Sequence, residues 1–179
     1  EERITRSALL AQIRRDRADL AADLEAWNID PVGGPQVTAM NLEAIQPVET
    51  PDQAKAMVAR WHALGPWFDA QGDRLRVSLA DGRVGVRATV EKDVDQMTTA
   101  LARPDEDLPL LAPLAVAHPD WTPAQRAAFD TGLRSAVRDV VRPAMERYLA
   151  VVRDEILPAA RSDDRPGLVH VPGGREEYD

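Results

Sequence analysis

Residues 122–157 read T-P-A-Q-R-A-A-F-D-T-G-L-R-S-A-V-R-D-V-V-R-P-A-M-E-R-Y-L-A-V-V-R-D-E-I-L, and this stretch decides the fold. Phe129, Leu133, Val137, Val140, Ala144, Tyr148, Val152 and Ile156 fall three or four residues apart, the spacing that lines one face of an α-helix. Ahead of them stands a start signal. Thr122 can accept a hydrogen bond from a first-turn N–H, Pro123 suits the first helical position, and Gln125 can reach back to close a capping box. Pro143 removes one ladder hydrogen bond and crowds the turn before it, so a kink is expected there.

The same T-P-x-Q signal recurs at Thr50-Pro51-Asp52-Gln53. It reflects shared capping chemistry and is too short to be an internal repeat. The helix it opens carries Met57, Trp61 and Leu64 on one face and is expected to stop or kink at Gly65-Pro66. A further amphipathic stretch over 68–79 closes at Asp81-Gly82. From Val86, the set Val90, Val94, Met97 and Leu101 makes another helix, ended by Pro104. Nearer the start, Leu9, Ile13, Leu20, Leu24 and Trp27 form one stripe of a helix expected to end near Trp27-Asn28. Asp30-Pro31-Val32-Gly33-Gly34-Pro35 breaks it, and residues 37–45 read as a short helix, with an extended connection as the alternative.

Residues 103–121, with Pro104, Pro109, Pro113 and Pro119, read as a proline-rich connection holding one short helix over 108–117. After Pro158 the periodicity fades into a non-helical tail, 162–179, with a short strand or hairpin at 168–171. The fold class expected is therefore all-α. Several antiparallel amphipathic helices would surround a long Pro-kinked C-terminal helix, in a single segment, 1–179, of a larger helical domain.

Composition narrows the function. Of 179 residues, 44% are hydrophobic and 29% charged, which fits a globular protein rather than a disordered one. Aromatics are only 4%, so the core must rest on Ala, Leu and Val. A net charge of −8, with arginines alternating with acids as in Arg14-Arg15-Asp16-Arg17, argues against nucleic acid as a partner. There is no cysteine, which excludes thiolate nucleophiles and Cys-ligated zinc. No apolar run is long enough to span a membrane. The compartment stays open between cytoplasm and export, with the cytoplasm favoured. The chain starts at Glu1 and reads as processed or as part of something longer.

No complete catalytic or metal site is expected. His62, His118 and His170 show no H-E-x-x-H spacing, and Ser7, Ser78, Ser135 and Ser162 lack a nucleophile elbow. The pairs Asp93/Asp95 and Asp163/Asp164 read as ordinary surface acids. Val32-Gly33-Gly34-Pro35 reads as a tight turn. The second glycine pair is weighed differently, because Gly173 and Gly174 can present consecutive N–H groups to an anion or a peptide carbonyl. Arg175 and Tyr178 flank them with polar recognition groups, which makes these four the candidate substrate-binding residues.

The C-terminal third is the least generic part. Val140-Val141-Arg142-Pro143-Ala144 leads to Tyr148-Leu149, then Leu157-Pro158-Ala159-Ala160-Arg161, Gly167-Leu168 and Pro172-Gly173-Gly174 with Tyr178. This succession resembles a bacterial family, domain of unknown function 885. Met40-Asn41-Leu42, residues 50–61 and residues 84–96 are compatible with it. The resemblance implies a largely helical parent of several hundred residues, similar in outline to zinc-dependent peptidases, with an H-E-x-x-P-G-H motif downstream of the P-G-G segment. That motif is absent here, so the resemblance implies zinc only in a longer parent, with the remainder of that polypeptide and a peptide substrate as partners. Where the family pairs aromatics after the glycines, this chain has Glu177 before a single Tyr178. The other reading is a non-enzymatic helical interaction module.

Overall fold

In a computed structural model the described residues are 2–22, 27 and 29–174, and among them all regular structure is helical. The helices are α1 (Glu2–Ala22), α2 (Pro35–Met40), α3 (Pro51–Ala80), α4 (Arg87–Leu101), α5 (Pro123–Ala136), α6 (Arg142–Ala150) and the single turn α7 (Leu157–Ala159). Both expected capping boxes form. Thr50 Oγ1 accepts from Gln53 N at 3.3 Å while Gln53 Oε1 accepts from Thr50 N at 3.0 Å. At α5 the equivalent distances are 3.2 and 2.8 Å.

One helix runs past its expected stop or kink, and the long C-terminal helix expected through Pro143 forms. α3 runs unbroken through Gly65-Pro66. Pro66 lies on the exposed side, where water can serve the carbonyl it leaves unpaired, while Trp61, Leu64 and Phe68 hold both halves to one buried face. α3 ends in a Schellman motif: Gly82 takes φ +72°, Arg83 N donates to Ser78 O at 2.8 Å, and Gly82 N donates to Leu79 O at 3.0 Å. α5, α6 and α7 form one continuous path joined by π-helical segments at Val137–Val141 and Val151–Ile156. Each widened segment ends two residues before a proline, Pro143 or Pro158, so the ring and its missing N–H fall where the ladder is already rearranged.

The all-α arrangement forms as expected, and beside its antiparallel pairs it holds a parallel one. Gly132 lies against Val58, Gly65 against Val140, Gly72 against Val151, and Arg76 bonds Glu155, so α3 and the α5–α7 path run parallel. α4 returns against them, with Arg87 beside Arg161 and Leu101 beside Arg142. A short turn at Gly82 enforces that reversal, and the connection 103–121 carries the chain back to start α5 beside the start of α3. That connection is part of the core: its 3-10 turns at Asp105–Asp107 and Pro109–Ala115 bury Leu110, Leu111 and Pro113, and Trp61 Nε1 donates to Leu110 O at 3.0 Å.

Residues 37–45 are helical as read, in α2 and a 3-10 turn at Leu42–Ile45. The strand expected at 168–171 is a correction. Leu168–His170 form a 3-10 turn, and the sole extended pairing among the described residues is one parallel bridge between Val86 and Arg161. On α1, Leu9, Leu10 and Ile13 are exposed. The side chains of Leu20 and Leu24, and Asn28 as the expected helix end, lie outside the described residues.

Candidate functional site

On α4, Asp93 lies three residues after Val90 and four before Met97, so it shares their inward face, and all three are completely buried. Asp95 is exposed as read, but the placement of Asp93 among surface acids is corrected. Its partner comes from α2. Gln36 Nε2 donates to Asp93 Oδ1 and also lies 3.0 Å from Gln96 Oε1 and 3.1 Å from Asp30 O. Gln96 Nε2 in turn donates to Pro31 O at 3.1 Å.

The Val32-Gly33-Gly34-Pro35 turn makes this arrangement possible. Asp30 Oδ1 accepts from Val32 N at 2.9 Å and Asp30 O from Gly34 N at 2.8 Å. A Cβ on Gly34 would sit 2.4 Å from Asp30 O and 2.9 Å from Gln36 Nε2, so only glycine lets the amide fold back onto the loop.

Three polar atoms of this region, Asp93 Oδ2, Gln36 Oε1 and Tyr148 OH, are buried without a hydrogen-bond partner. Burial pushes the Asp93 carboxyl up to about 7; the nearby Asp30 charge adds to the rise and the Gln36 hydrogen bond opposes it. Burial, and then the Asp93 charge, raises the Tyr148 hydroxyl well above the ordinary phenol range.

Beside this cluster lies a cavity of about 450 Å³. Met97, Met145 and Met40 give it an apolar, adaptable lining, and Asn41, Gln96 and Thr99 bring amides and a hydroxyl to it. A second cleft of about 430 Å³ beside Gly72 holds the Asp69–Arg147 and Arg76–Glu155 pairs, whose charges already satisfy one another.

Both ends of α4 are tied down by residues of the distinctive C-terminal third. Arg142 donates to Leu101 O and Arg103 O, each at 2.7 Å, and to Asp105 at 2.5 Å, serving carbonyls at the helix's C-terminal end. At the other end Arg161 donates to Val84 O at 2.8 Å and Gly167 O at 3.0 Å, and Asp163 Oδ1 accepts from Ala88 N at 2.9 Å. The arginines in V-R-P-A and L-P-A-A-R are therefore clamps that position the helix carrying Asp93 and Gln96.

Of the four candidate substrate-binding residues, Gly173 and Gly174 are described and Arg175 and Tyr178 lie outside the described residues. Gly173 has φ +75°, and Gly174 N donates to Val171 O at 2.9 Å, the closing bond of a turn that occupies that N–H. Gly174 is buried, and a Cβ there would lie 2.0 Å from Leu168 O.

The histidines occupy separate settings. His62 is exposed on α3, His118 stacks on Trp121 at 3.9 Å between ring centroids, and His170 is exposed in the last 3-10 turn. Among the described residues no three His, Asp or Glu side chains are grouped to hold a metal ion. Among the same residues no helix is long and apolar enough to cross a membrane.

In the sequence Asp93 reads only as one of a pair of surface acids, and Gln36 is not singled out. The signal for Asp93 was its i+3 spacing from Val90 and i+4 spacing to Met97, masked by the better hydrophobic match of Val94. Gln36 carried no local signal, because its partner lies 57 residues away.

These features define an all-helical scaffold with a buried carboxyl beside a mixed cavity. The family model described as "Bacterial protein of unknown function (DUF885)" matches residues 1–179, and the chain belongs to that family. No curated protein and no solved structure matches it.

Proposed function

We propose that the chain is a helical, non-catalytic wall of a peptidase-like metallohydrolase, whose metal ligands lie in other parts of a longer polypeptide. The observation that carries this reading is the cavity between α2, α4 and α6. Its methionine lining suits an apolar side chain of varied shape, and its amide and hydroxyl groups suit the peptide bonds flanking such a side chain. In this reading the exposed Gly173, with Arg175 and Tyr178, contacts substrate backbone, while Gly174, whose N–H already serves Val171 O, shapes the turn.

Titrating the 179-residue chain with N-acetyl-leucine amide, followed by the methionine methyl resonances, tests the cavity. Shifts at Met40, Met97 and Met145 are expected, with Met57 still; unmoved methyls at all four would remove the support. Zinc analysis and a peptidase assay of the chain beside its longer parent test the division of labour. Stoichiometric zinc in the 179-residue chain alone would overturn it.

One observation favours a second reading, a helical interaction module: Leu9, Leu10 and Ile13 are exposed on α1. A Leu9→Glu/Ile13→Glu variant of the parent separates the two. Lost hydrolysis favours a wall, whereas intact hydrolysis with lost association favours a module.

A further inference from the structure

Gln36 brings one amide nitrogen, with two protons, within reach of three acceptors: Asp93 Oδ1, Gln96 Oε1 and Asp30 O. One contact therefore lacks a hydrogen, and meanwhile Asp93 Oδ2 and Gln36 Oε1 are both buried and unpartnered. A proton on Asp93 Oδ2 leaves Oδ1 able to accept from Gln36, and it removes a charge from a completely buried position where no basic side chain among the described residues contributes to the electrostatics. The groups facing Asp93 are all neutral or acidic: Asp30 from the loop before α2, Gln36 from α2, Gln96 on its own helix and Tyr148 from α6.

The atoms joined by this cluster belong to two bodies. Asp93 and Gln96 are on the clamped helix α4, while Asp30, Pro31 and Gln36 belong to the 30–40 segment, which is short and forms one side of the cavity through Gln36, Val37 and Met40. We propose that Asp93 is a proton-operated latch on this cavity: protonated, it holds the 30–40 segment against α4, and on losing its proton it releases that segment and opens the cavity. The latch is the regulation of the binding site proposed above and rests on that reading for its purpose, though not for its physics.

The linkage has a definite sign. An undocked segment leaves Asp93 in water with an ordinary carboxylate affinity, while the docked form holds its proton up to about 7. Between those limits the docked state binds more protons. Opening then grows by up to about tenfold per pH unit from about pH 4 and levels off above about 7.

Hydrogen exchange of the full chain at pH 5 and pH 8, corrected for intrinsic rates, reads this directly. Protection of amides 36–41 is expected to fall at least about tenfold in the wild type, while α3 amides keep theirs. In Asp93→Asn the fall should vanish, and in Asp95→Asn, at an exposed position on the same helix, it should persist. A pH-independent wild type, or an equal fall in Asp93→Asn, would overturn the latch; the wild-type arm needs no variant to fold. Failure of N-acetyl-leucine amide to shift the methionine methyls at either pH would instead strike the binding reading, leaving the exchange result to judge the latch alone.

Discussion

A single hydrogen atom decides what several positions tolerate. At Gly34 it is the space that Asp30 O and the Gln36 amide share, so a methyl there must displace backbone. At Gly33 the nearest atom to an added Cβ is Asp30 Oδ2 at 3.3 Å, the tip of a side chain that can swing aside. Gly34→Ala should therefore cost about 1–3 kcal/mol in urea unfolding and Gly33→Ala distinctly less, although both belong to one G-G pair. Equal costs would mean the loop relaxes freely. Gly65 makes a similar point between helices: its missing Cβ would meet Val140 Cγ1 at 2.5 Å, so Gly65→Ala should push α3 off the π-helical segment at a cost of about 1–3 kcal/mol. A glycine in a helix beside a proline looks in the sequence like a break. In the fold it is a close approach, and only the neighbouring helix distinguishes the two.

Element boundaries were legible where the chain itself supplies the partner. The capping boxes at Thr50 and Thr122 are local, within three residues, and both formed where read. Removing either hydroxyl, in Thr50→Ala or Thr122→Ala, should destabilise by about 1 kcal/mol in thermal or urea unfolding. Helix interiors were less legible, since local rules read Gly65-Pro66 as a stop or kink and Pro143 as a kink. Tertiary contacts carried α3 through, and π-helical widening carried the α5–α7 path through. The clamps on α4 were not legible as clamps. Arg142 stood out in the sequence, but its acceptors at Leu101, Arg103 and Asp105 lie 37 or more residues earlier. Because one planar fork serves three acceptors, Arg142→Lys should not substitute. We expect a loss of about 1–3 kcal/mol, with faster amide exchange confined to the last turn of α4. Full rescue by lysine would show that charge alone matters there.

Across the whole molecule, helix content follows from periodicity, whereas direction follows from connection lengths that periodicity does not encode. The tight Gly82 turn makes α3 and α4 antiparallel, and the return through 103–121 then makes α3 and α5 parallel. That parallel pairing stacks α4 into the position where Asp93 is buried. The surface acids Asp69 and Glu155 are held below the ordinary carboxylate range by hydrogen bonds from Arg147 and Arg76, so what stability they add is lost as pH falls through their lowered values. They are exposed and screened, and their share is small. Asp93 acts oppositely: its raised affinity for a proton contributes stability that is complete below the ordinary carboxylate range and is lost as pH rises to about 7. Between pH 5 and 8 the loss amounts to roughly 2–3 kcal/mol if the whole molecule must unfold to release the strain. A latch that opens locally sets a lower ceiling, because the segment comes free before the rest gives way. Thermal unfolding from pH 4 to 9 should therefore show its highest Tm on the acid side, and Asp93→Asn should flatten the decline toward neutrality. The depth of that decline, set against the exchange of amides 36–41, measures how much of the fold depends on the docked segment; a wild-type Tm that climbs from pH 5 to 8 would refute a buried, protonated Asp93.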